Sequence, residues 1–420
     1  MWPLSQIEDH ITIEKVIKCG IQLQEDIKDQ KDSNTDRETC NLQLLWESFK
    51  SEIKKIAISQ NKKTYHRITS KIRNLEKDKT TLTAHPDFDI RDDLKMSKAL
   101  IVSELNHLEK VRAKSQQETL KAKLTHHREK PGGIWSKLGK IKRPRDPIYR
   151  LKVPNAKPIQ FERQSKRMAK IACDYHKNLQ NKGLNHNKSQ EEHENMTRTF
   201  LSHIPIDQKI PEHDATSMNG PIDNKQVQEA IFMSKNGSAT GMDSYPYELW
   251  KKLISEHKKR TKKNIPSFNI TRMLMEILQD IQMHGVDTRT NFTLGWMCPI
   301  YKKKDPNEIS NYRPITLLNT DYKILTKAMA LQLMEKATTI VHEDQAGFIL
   351  EQSIFNHIRL AKAIISYAEI TEEDGAIITL DQEKAYDKIK HEYLWTTLKA
   401  FGVPQPFIKQ YKNYTGTPTP

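Results

Sequence analysis

The chain has 420 residues and is strongly basic, with 68 Lys and Arg against 53 Asp and Glu. That length allows two or three domains with their own cores, and the net charge of +15 favours a polyanionic partner, nucleic acid first. Four cysteines without a C-x-x-C spacing argue against a disulfide framework or a zinc site. Without a membrane-length apolar run or a signal-peptide-like start, we expect an intracellular protein, nuclear or cytoplasmic and not secreted.

The first half of the chain has the apolar spacing of long helices. From Asn41, apolar residues recur every three or four positions; the pattern breaks at His85-Pro86-Asp87 and resumes to about Leu124. We predict two long helices with basic surfaces, forming an antiparallel hairpin or stretches of coiled coil. Another amphipathic helix is expected over 164–179, and the polar stretch 181–196 is predicted to be a linker.

A basic segment rich in proline and glycine follows, and the chain over 131–154 is predicted to be extended. Basic residues interleaved with aromatic rings can contact phosphates and stack on bases, so the segment is a candidate for binding single-stranded nucleic acid. Its candidate residues are Trp135, Lys140, Lys142, Arg143 and Arg145. Two alternatives stay open: the basic run is a nuclear-import signal, or the aromatic residues only anchor the segment to the next domain.

Between residues 223 and 285, loops alternate with helices. Asp223 and Gln226 predict a capping box at a helix start. A glycine-marked loop over 237–243 leads into a helix, and the basic run 258–263 is predicted to be a solvated loop. A further amphipathic helix is predicted over 269–284.

Residues 294–317 predict a β-hairpin with a basic turn. An apolar strand, 294–301, enters the turn Lys302-Lys303-Lys304-Asp305-Pro306, and the chain returns over 312–317. Lys and Arg side chains on such a hairpin can bind phosphate oxygens, Arg through two parallel hydrogen bonds. The simpler alternative is a hydrated surface turn.

The segment 375–395 predicts a buried strand that ends in a carboxylate. The β-branched apolar run 376–380 follows an Asp-Gly turn signal and stops at Asp381. The carboxyl end of a strand is where α/β sheets usually hold ligands, and carboxylate oxygens suit Mg²⁺. The alternative is that Asp381 caps the next helix and that Tyr386 is a core aromatic.

These segments resemble the reverse transcriptases of LINE-type (non-LTR) retrotransposons. Residues 377–387 are similar to the first catalytic motif, hydrophobic-Asp-x-x-Lys-Ala-Phe/Tyr-Asp, and the hairpin with Tyr312-Arg313-Pro314 resembles the fingertip. Residues 235–246 resemble the motif that precedes the fingers. A weaker similarity in the first half points to Tad-like or jockey-like elements.

The resemblance implies RNA-directed DNA synthesis by two-metal nucleotidyl transfer, with an RNA template, a DNA primer, a dNTP and Mg²⁺. It assigns the metal to Asp381, with the Gln382 carbonyl beside it, the triphosphate to Arg313 and Lys303, and sugar selection to Tyr386. The expected fold is α+β, beginning with long basic helices in a connector over 1–180. The connector is expected to be followed by a linker over 181–220. Residues 221–420 are then expected to form the fingers and partial palm of a right-hand fold.

Three departures from the family pattern change the expected activity. After Gly347-Phe348 the chain has Leu350-Glu351-Gln352 where the family has Pro-Gly-Arg. No Asp-Asp pair and no Gln-Gly-x-Pro segment follow Asp381. Because one carboxylate cannot hold two Mg²⁺ ions, we expect a chain that is truncated before the second carboxylate pair and inactive alone. The rival hypotheses are a catalytically dead nucleic-acid-binding remnant and a helical scaffold without a nucleic-acid partner.

Overall fold

The computed structural model describes residues 2–32, 37–88, 90–126, 147–179, 189–342, 344–349, 352–372 and 374–414, and these are mostly helical. The helices are α1 His10–Asp32, α2 Leu42–Thr83, α3 Asp92–His126, α4 Ser165–Lys177, α5 Gln190–Ser202, α6 Glu212–Met218, α7 Asn224–Phe232, α8 Tyr247–Lys262, α9 Ile270–His284, α10 Thr320–Ile340, α11 Ile354–Thr371, α12 Ala385–Lys388, α13 His391–Ala400 and α14 Gln405–Tyr414. The strands are β1 Leu151–Lys152, β2 Phe161–Glu162, β3 Gly295–Tyr301 and β4 Tyr312–Leu318. Within the described residues the strands form two separate antiparallel pairs, β1 with β2 and β3 with β4.

The two long N-terminal helices form the predicted hairpin. Asn41 caps α2, since its side chain accepts a hydrogen bond from the Leu44 N–H at 3.0 Å. The chain turns around Pro86, where a helix cannot continue, and α3 returns against α2. None of the helices described is both long and apolar enough to span a membrane.

The main core joins these helices to the second half of the chain. Buried side chains of α1 and α2 pack with those of α7, α8, α9 and α10 in one cluster. At its centre lie the rings of Trp46, Phe49, Trp250 and Phe268, with neighbouring centroids 5.3–5.7 Å apart. Each such side chain contributes about 1.5–3 kcal/mol by leaving water. The division into 1–180, 181–220 and 221–420 stays a prediction, but packing crosses it.

Two predicted loops are wrong in part, because both contain helix. Residues 190–202 of the predicted linker form α5, which begins with a capping box between Ser189 and Glu192. The basic run predicted as a loop is instead the end of α8, which continues to Lys262. Lys and Arg are good helix formers, and cations near a helix C-terminus interact favourably with its dipole.

The predicted buried strand over 376–380 is also wrong. Residues 374–382 form no ladder, and Ile377, Ile378 and Leu380 are exposed, Leu380 by 89%. A strand needs a neighbour to pair its backbone N–H and C=O groups, and the described strands pair only with each other. The α+β class is therefore correct only in its coarse form, a mostly helical chain with few strands.

Candidate active site

The predicted β-hairpin is present, and its basic residues face solvent. β3 and β4 pair without a bulge from Gly295 opposite Leu318 to Tyr301 opposite Tyr312, and the Lys302 N–H donates to the Asn311 carbonyl at 3.0 Å. Arg313 lies on β4 directly after this end of the ladder and is exposed. The three turn lysines, 302–304, are exposed as well. The hairpin therefore presents several cations beside one another.

The turn is held in place by the short strand β1. The Lys152 ammonium lies 2.8 Å from carboxylate oxygens of both Asp305 and Glu308, and its backbone N–H donates to the Asn307 carbonyl. The hydrogen bond from Lys152, followed by that from the Asn307 N–H, lowers the pKa of Asp305 to about 2. Arg150 donates to the Asn307 side chain at 3.0 Å. Asp305, the acidic residue of the turn, is thus paired with Lys152 of β1.

Helix α4 connects the hairpin to the segment that follows Asp381. Ala172 packs in a small core with Leu151, Ile309 and Tyr312 at the turn end of the hairpin, and Tyr175 packs against the same core. About one helical turn after Ala172, the Tyr175 hydroxyl accepts a hydrogen bond from the Lys384 ammonium, which also lies 4.8 Å from the ring centroid. A single helix therefore contacts both predicted parts of the site.

The segment 381–388 presents its predicted site residues to solvent. Asp381 and Gln382 are exposed, and Tyr386 is 80% exposed, which excludes the alternative of a core aromatic. Helix α12 has Lys384 at its N-cap, so Asp381 is not the cap of that helix. The Tyr386 ring instead meets the Phe348 ring edge-on, with centroids 6.3 Å apart. The Gly347-Phe348 segment thus lies beside Tyr386.

The hairpin turn and this segment both lie beside helix α4, and a charge effect agrees with that placement. The pKa of the Glu383 carboxyl is lowered first by its hydrogen bond to Lys388, and the charges of Lys384 and Lys304 add to the effect. Lys304 belongs to the turn of the hairpin, and Glu383 is two residues from Asp381. The contribution of Lys304 is the last of these effects, and it agrees with the contacts that α4 makes with both segments.

The described residues do not form a magnesium site by themselves. Asp381 and Gln382 offer oxygen donors of the kind that Mg²⁺ prefers. However, the part of the chain that the structure describes holds no group of three His, Cys, Asp or Glu side chains placed to bind a metal.

Several predicted residues cannot be placed. Trp135, Lys140, Lys142, Arg143 and Arg145 lie outside the described residues, as do Leu350 and Glu351. Their roles stay predictions.

Sequence reasoning missed a buried ionic cluster beneath the hairpin. Lys50 of α2 is 2% exposed, and its ammonium lies 2.9 Å from Asp321, 3.4 Å from Asp243 and 3.1 Å from Glu47. Asp321 also accepts a hydrogen bond from the Trp46 indole at 2.9 Å. A signal was present, because a lysine among the apolar positions of an amphipathic helix needs a buried partner.

The cluster has more negative than positive charge, and this shifts its pKa values. Burial alone would lower the pKa of Lys50, but attraction to Asp321, Asp243 and Glu47 outweighs burial and raises it. Burial and then repulsion from Asp321 raise the pKa of Asp243 to about 6, against the opposing attraction of Lys50. The lysine is thus held charged, while one carboxyl gains a proton at mildly acidic pH.

The sequence matches a known family across part of this region. Residues 301–419 match the family model described as reverse transcriptase (RNA-dependent DNA polymerase), so a domain of that family is present. The family carries out nucleotidyl transfer and implies an RNA template and nucleotide substrates.

A relative extends the likeness to a transposon protein. The chain is 38% identical over 111 residues to the "Transposon TX1 uncharacterized 149 kDa protein" of Xenopus laevis. The aligned part is 26% of this chain and 8% of the relative, so the chain spans only a small part of that protein. The matches thus show a reverse-transcriptase domain and a likeness to part of a transposon protein, whereas a LINE-type origin and a Tad-like or jockey-like subtype stay predictions.

Proposed function

We propose that this chain contributes the fingers and the first palm motif of an RNA-directed DNA polymerase that uses two-metal nucleotidyl transfer. The single observation that carries the proposal is that Tyr175 packs against the core of Ile309 and Tyr312 at the hairpin turn and also accepts a hydrogen bond from Lys384, three residues after Asp381. A nucleotide held between these segments would meet cations on one side and a carboxylate on the other. That arrangement is what phosphoryl transfer needs.

Each exposed side chain has a distinct proposed role. Arg313 and Lys303 bind and neutralise the triphosphate of the incoming dNTP. Tyr386, an exposed ring, lies under the sugar and discriminates against a ribose 2′-hydroxyl. Asp381, with the carbonyl of Gln382, is the ligand for Mg²⁺, which when bound would activate the primer hydroxyl and stabilise the leaving pyrophosphate.

The proposal includes inactivity of this chain alone. A pair of Mg²⁺ ions needs further carboxylates, and Asp387 is the only aspartate after Asp381 in the 420 residues. Productive synthesis would therefore require ligands from outside them. We expect no primer extension from the isolated chain, although dNTP binding should remain measurable.

The replacement of Pro-Gly-Arg by Leu350-Glu351-Gln352 favours a second candidate, a nucleic-acid-binding protein without catalysis, since a turn glycine and a cation are lost. This candidate predicts affinity for RNA or DNA that falls steeply with salt, together with no specific dNTP binding.

The deciding experiment is dNTP binding to Arg313→Ala in the presence of Mg²⁺. Loss of a charge-assisted bidentate contact should weaken binding about 10- to 100-fold, measured with a fluorescent dNTP analogue. Arg73→Ala is the matched control, because Arg73 is an exposed arginine on α2. Equal dNTP affinity in the two variants would remove the hairpin from the proposed site.

A further inference from the structure

A basic groove lies along α8, next to the end of α7. It has a volume of about 330 Å³ and is lined by four lysines of one helix, Lys251, Lys258, Lys259 and Lys262, with Phe232 at the end of α7. Ile254, also among its lining residues, is buried in the main core. The groove is distinct in sequence from the hairpin and from the Asp381 segment.

Helical spacing explains why the four lysines converge. They stand at positions i, i+7, i+8 and i+11 of α8 and therefore share one face. None of the described residues lining the groove is acidic, and Glu256, which pairs with Lys259 at 3.0 Å, sits just outside it. Lys251 donates to two neutral oxygens, the Ser234 carbonyl and the Asn236 side chain. Among the described residues, Lys259 is the only one of the four lysines that pairs with a carboxylate, so the face keeps most of its positive charge.

The aromatic wall of the groove is fixed and open. Phe232 is 48% exposed, and the Lys258 ammonium lies 5.7 Å from its ring centroid. The backbone just after Phe232 is held by two hydrogen bonds: Lys327 of α10 donates to the Met233 carbonyl, and Lys251 donates to the Ser234 carbonyl. A large apolar ring held at the surface beside cations has no role in the core.

We propose that this groove binds a single-stranded polynucleotide, with the α8 lysines on successive phosphates and Phe232 stacked on one base. A row of cations meets the regularly spaced negative charges of a nucleic-acid backbone, and a flat ring meets an unstacked base. A duplex would not offer that base, and an acidic peptide would leave the ring unused. That the groove binds a single strand follows from its lysines and ring. That the strand is a template or a primer rests on the proposed function.

Charge is tested with Lys258→Ala/Lys262→Ala. The probes are labelled single strands of about ten nucleotides, one oligo(U) and one oligo(dT), because single-strand sites span about 4–16 nucleotides. Loss of two phosphate contacts should weaken binding of at least one strand and reduce the salt slope by about 1.4. The control variant is Arg73→Ala/Lys77→Ala. It removes the same number of positive charges from two exposed positions of α2 that are also four residues apart, and it should lose less affinity.

Stacking is tested with Phe232→Ala, whose exposed position keeps the fold intact. It should weaken binding of the base-containing strand by roughly 10- to 100-fold while leaving an abasic strand of equal length unchanged. Phe232→Tyr should restore the affinity. A preference for oligo(U) or for oligo(dT) tells which strand the groove takes.

Two results would overturn the inference. One is that Lys258→Ala/Lys262→Ala loses no more affinity for the single strands than the α2 control does. The other is that Phe232→Ala weakens binding of the abasic strand as much as binding of the base-containing strand. Either can occur while Arg313→Ala still weakens dNTP binding, in which case the proposed polymerase function stands alone. The reverse outcome, intact dNTP affinity in Arg313→Ala with loss in the groove variants, supports the groove without the polymerase site.

Discussion

The ammonium of Lys50 donates to the carboxylate of Asp321 at 2.9 Å, and both side chains are almost completely buried. Lys50 belongs to α2, near the start of the chain, whereas Asp321 opens α10 directly after β4. The ion pair therefore seats the strand that carries Arg313 on the N-terminal helices. The Trp250 indole reinforces the junction by donating to Thr320 at 3.1 Å.

Lys50→Met should destabilise the protein strongly. Removal of the lysine leaves Asp321 and Asp243 buried near one another without a cation, and breaking such a pair costs about 3–5 kcal/mol. The measurement is the free energy of unfolding in urea, followed by tryptophan fluorescence. Lys55→Met, at an exposed position of the same helix, should change it by less than about 0.5 kcal/mol. Equal stability of the two variants would contradict a structural role for the cluster.

Gly241→Ala should also destabilise, for a steric reason. An added Cβ would lie 2.4 Å from both the backbone nitrogen and the side-chain oxygen of Asn319, which is buried. Since backbone atoms cannot give way easily, we expect a loss of about 1–3 kcal/mol in the free energy of unfolding. Gly220→Ala is the control, because nothing lies within 4 Å of its added Cβ. A harmless Gly241→Ala would mean that the loop packs less closely on α10.

Asp243 predicts an unusual pH dependence of stability. Its pKa is raised in the folded protein to about 6, whereas an unfolded aspartate titrates near 3.9. The folded state thus binds the extra proton between these values, so this group's contribution falls as pH rises from 4 to 6, by about 2–3 kcal/mol. Asp243→Asn should remove that fall. Urea midpoints of both proteins between pH 4.5 and 7.5 provide the comparison, and parallel curves would argue against the shift.

Tyr175 should control the order of the segment after Asp381. Tyr175→Ala removes both the hydroxyl and the ring that hold Lys384, so amide hydrogen exchange over 381–390 should accelerate. Tyr175→Phe keeps the cation–ring contact and should have a smaller effect. Tyr367→Ala, at an exposed position of α11, is the control. Unchanged exchange over 381–390 in Tyr175→Ala would show that α4 does not position this segment.

The elements that depend on local signals could be predicted from the sequence. The β3–β4 hairpin follows from its apolar strands and basic turn, and Asp223 with Gln226 forms the expected capping box, with both hydrogen bonds present. In each case neighbouring residues carry enough information to determine the structure.

The elements that depend on distant partners could not be predicted. The apolar run at 376–380 indicated a strand, but its pairing requires a neighbour that no pattern within the run specifies. The buried partners of Lys50, Asp243 and Asp321, lie 193 and 271 positions away, so the sequence showed only a lysine among the apolar positions of a helix. The bridging role of α4, through Tyr175, carried no local signal either.

The pairing of β3 with β4 has a practical consequence for anyone who isolates the polymerase region. The family match begins at Tyr301, the last residue of β3, so a fragment cut there would discard the strand on which β4 depends. Such a fragment would also lose Lys152 of β1, which pairs with Asp305 of the turn, and Lys50 of α2, which pairs with Asp321 of α10. A fragment that keeps these contacts must reach back at least to α2, which begins at Leu42, even though the family match begins only at Tyr301.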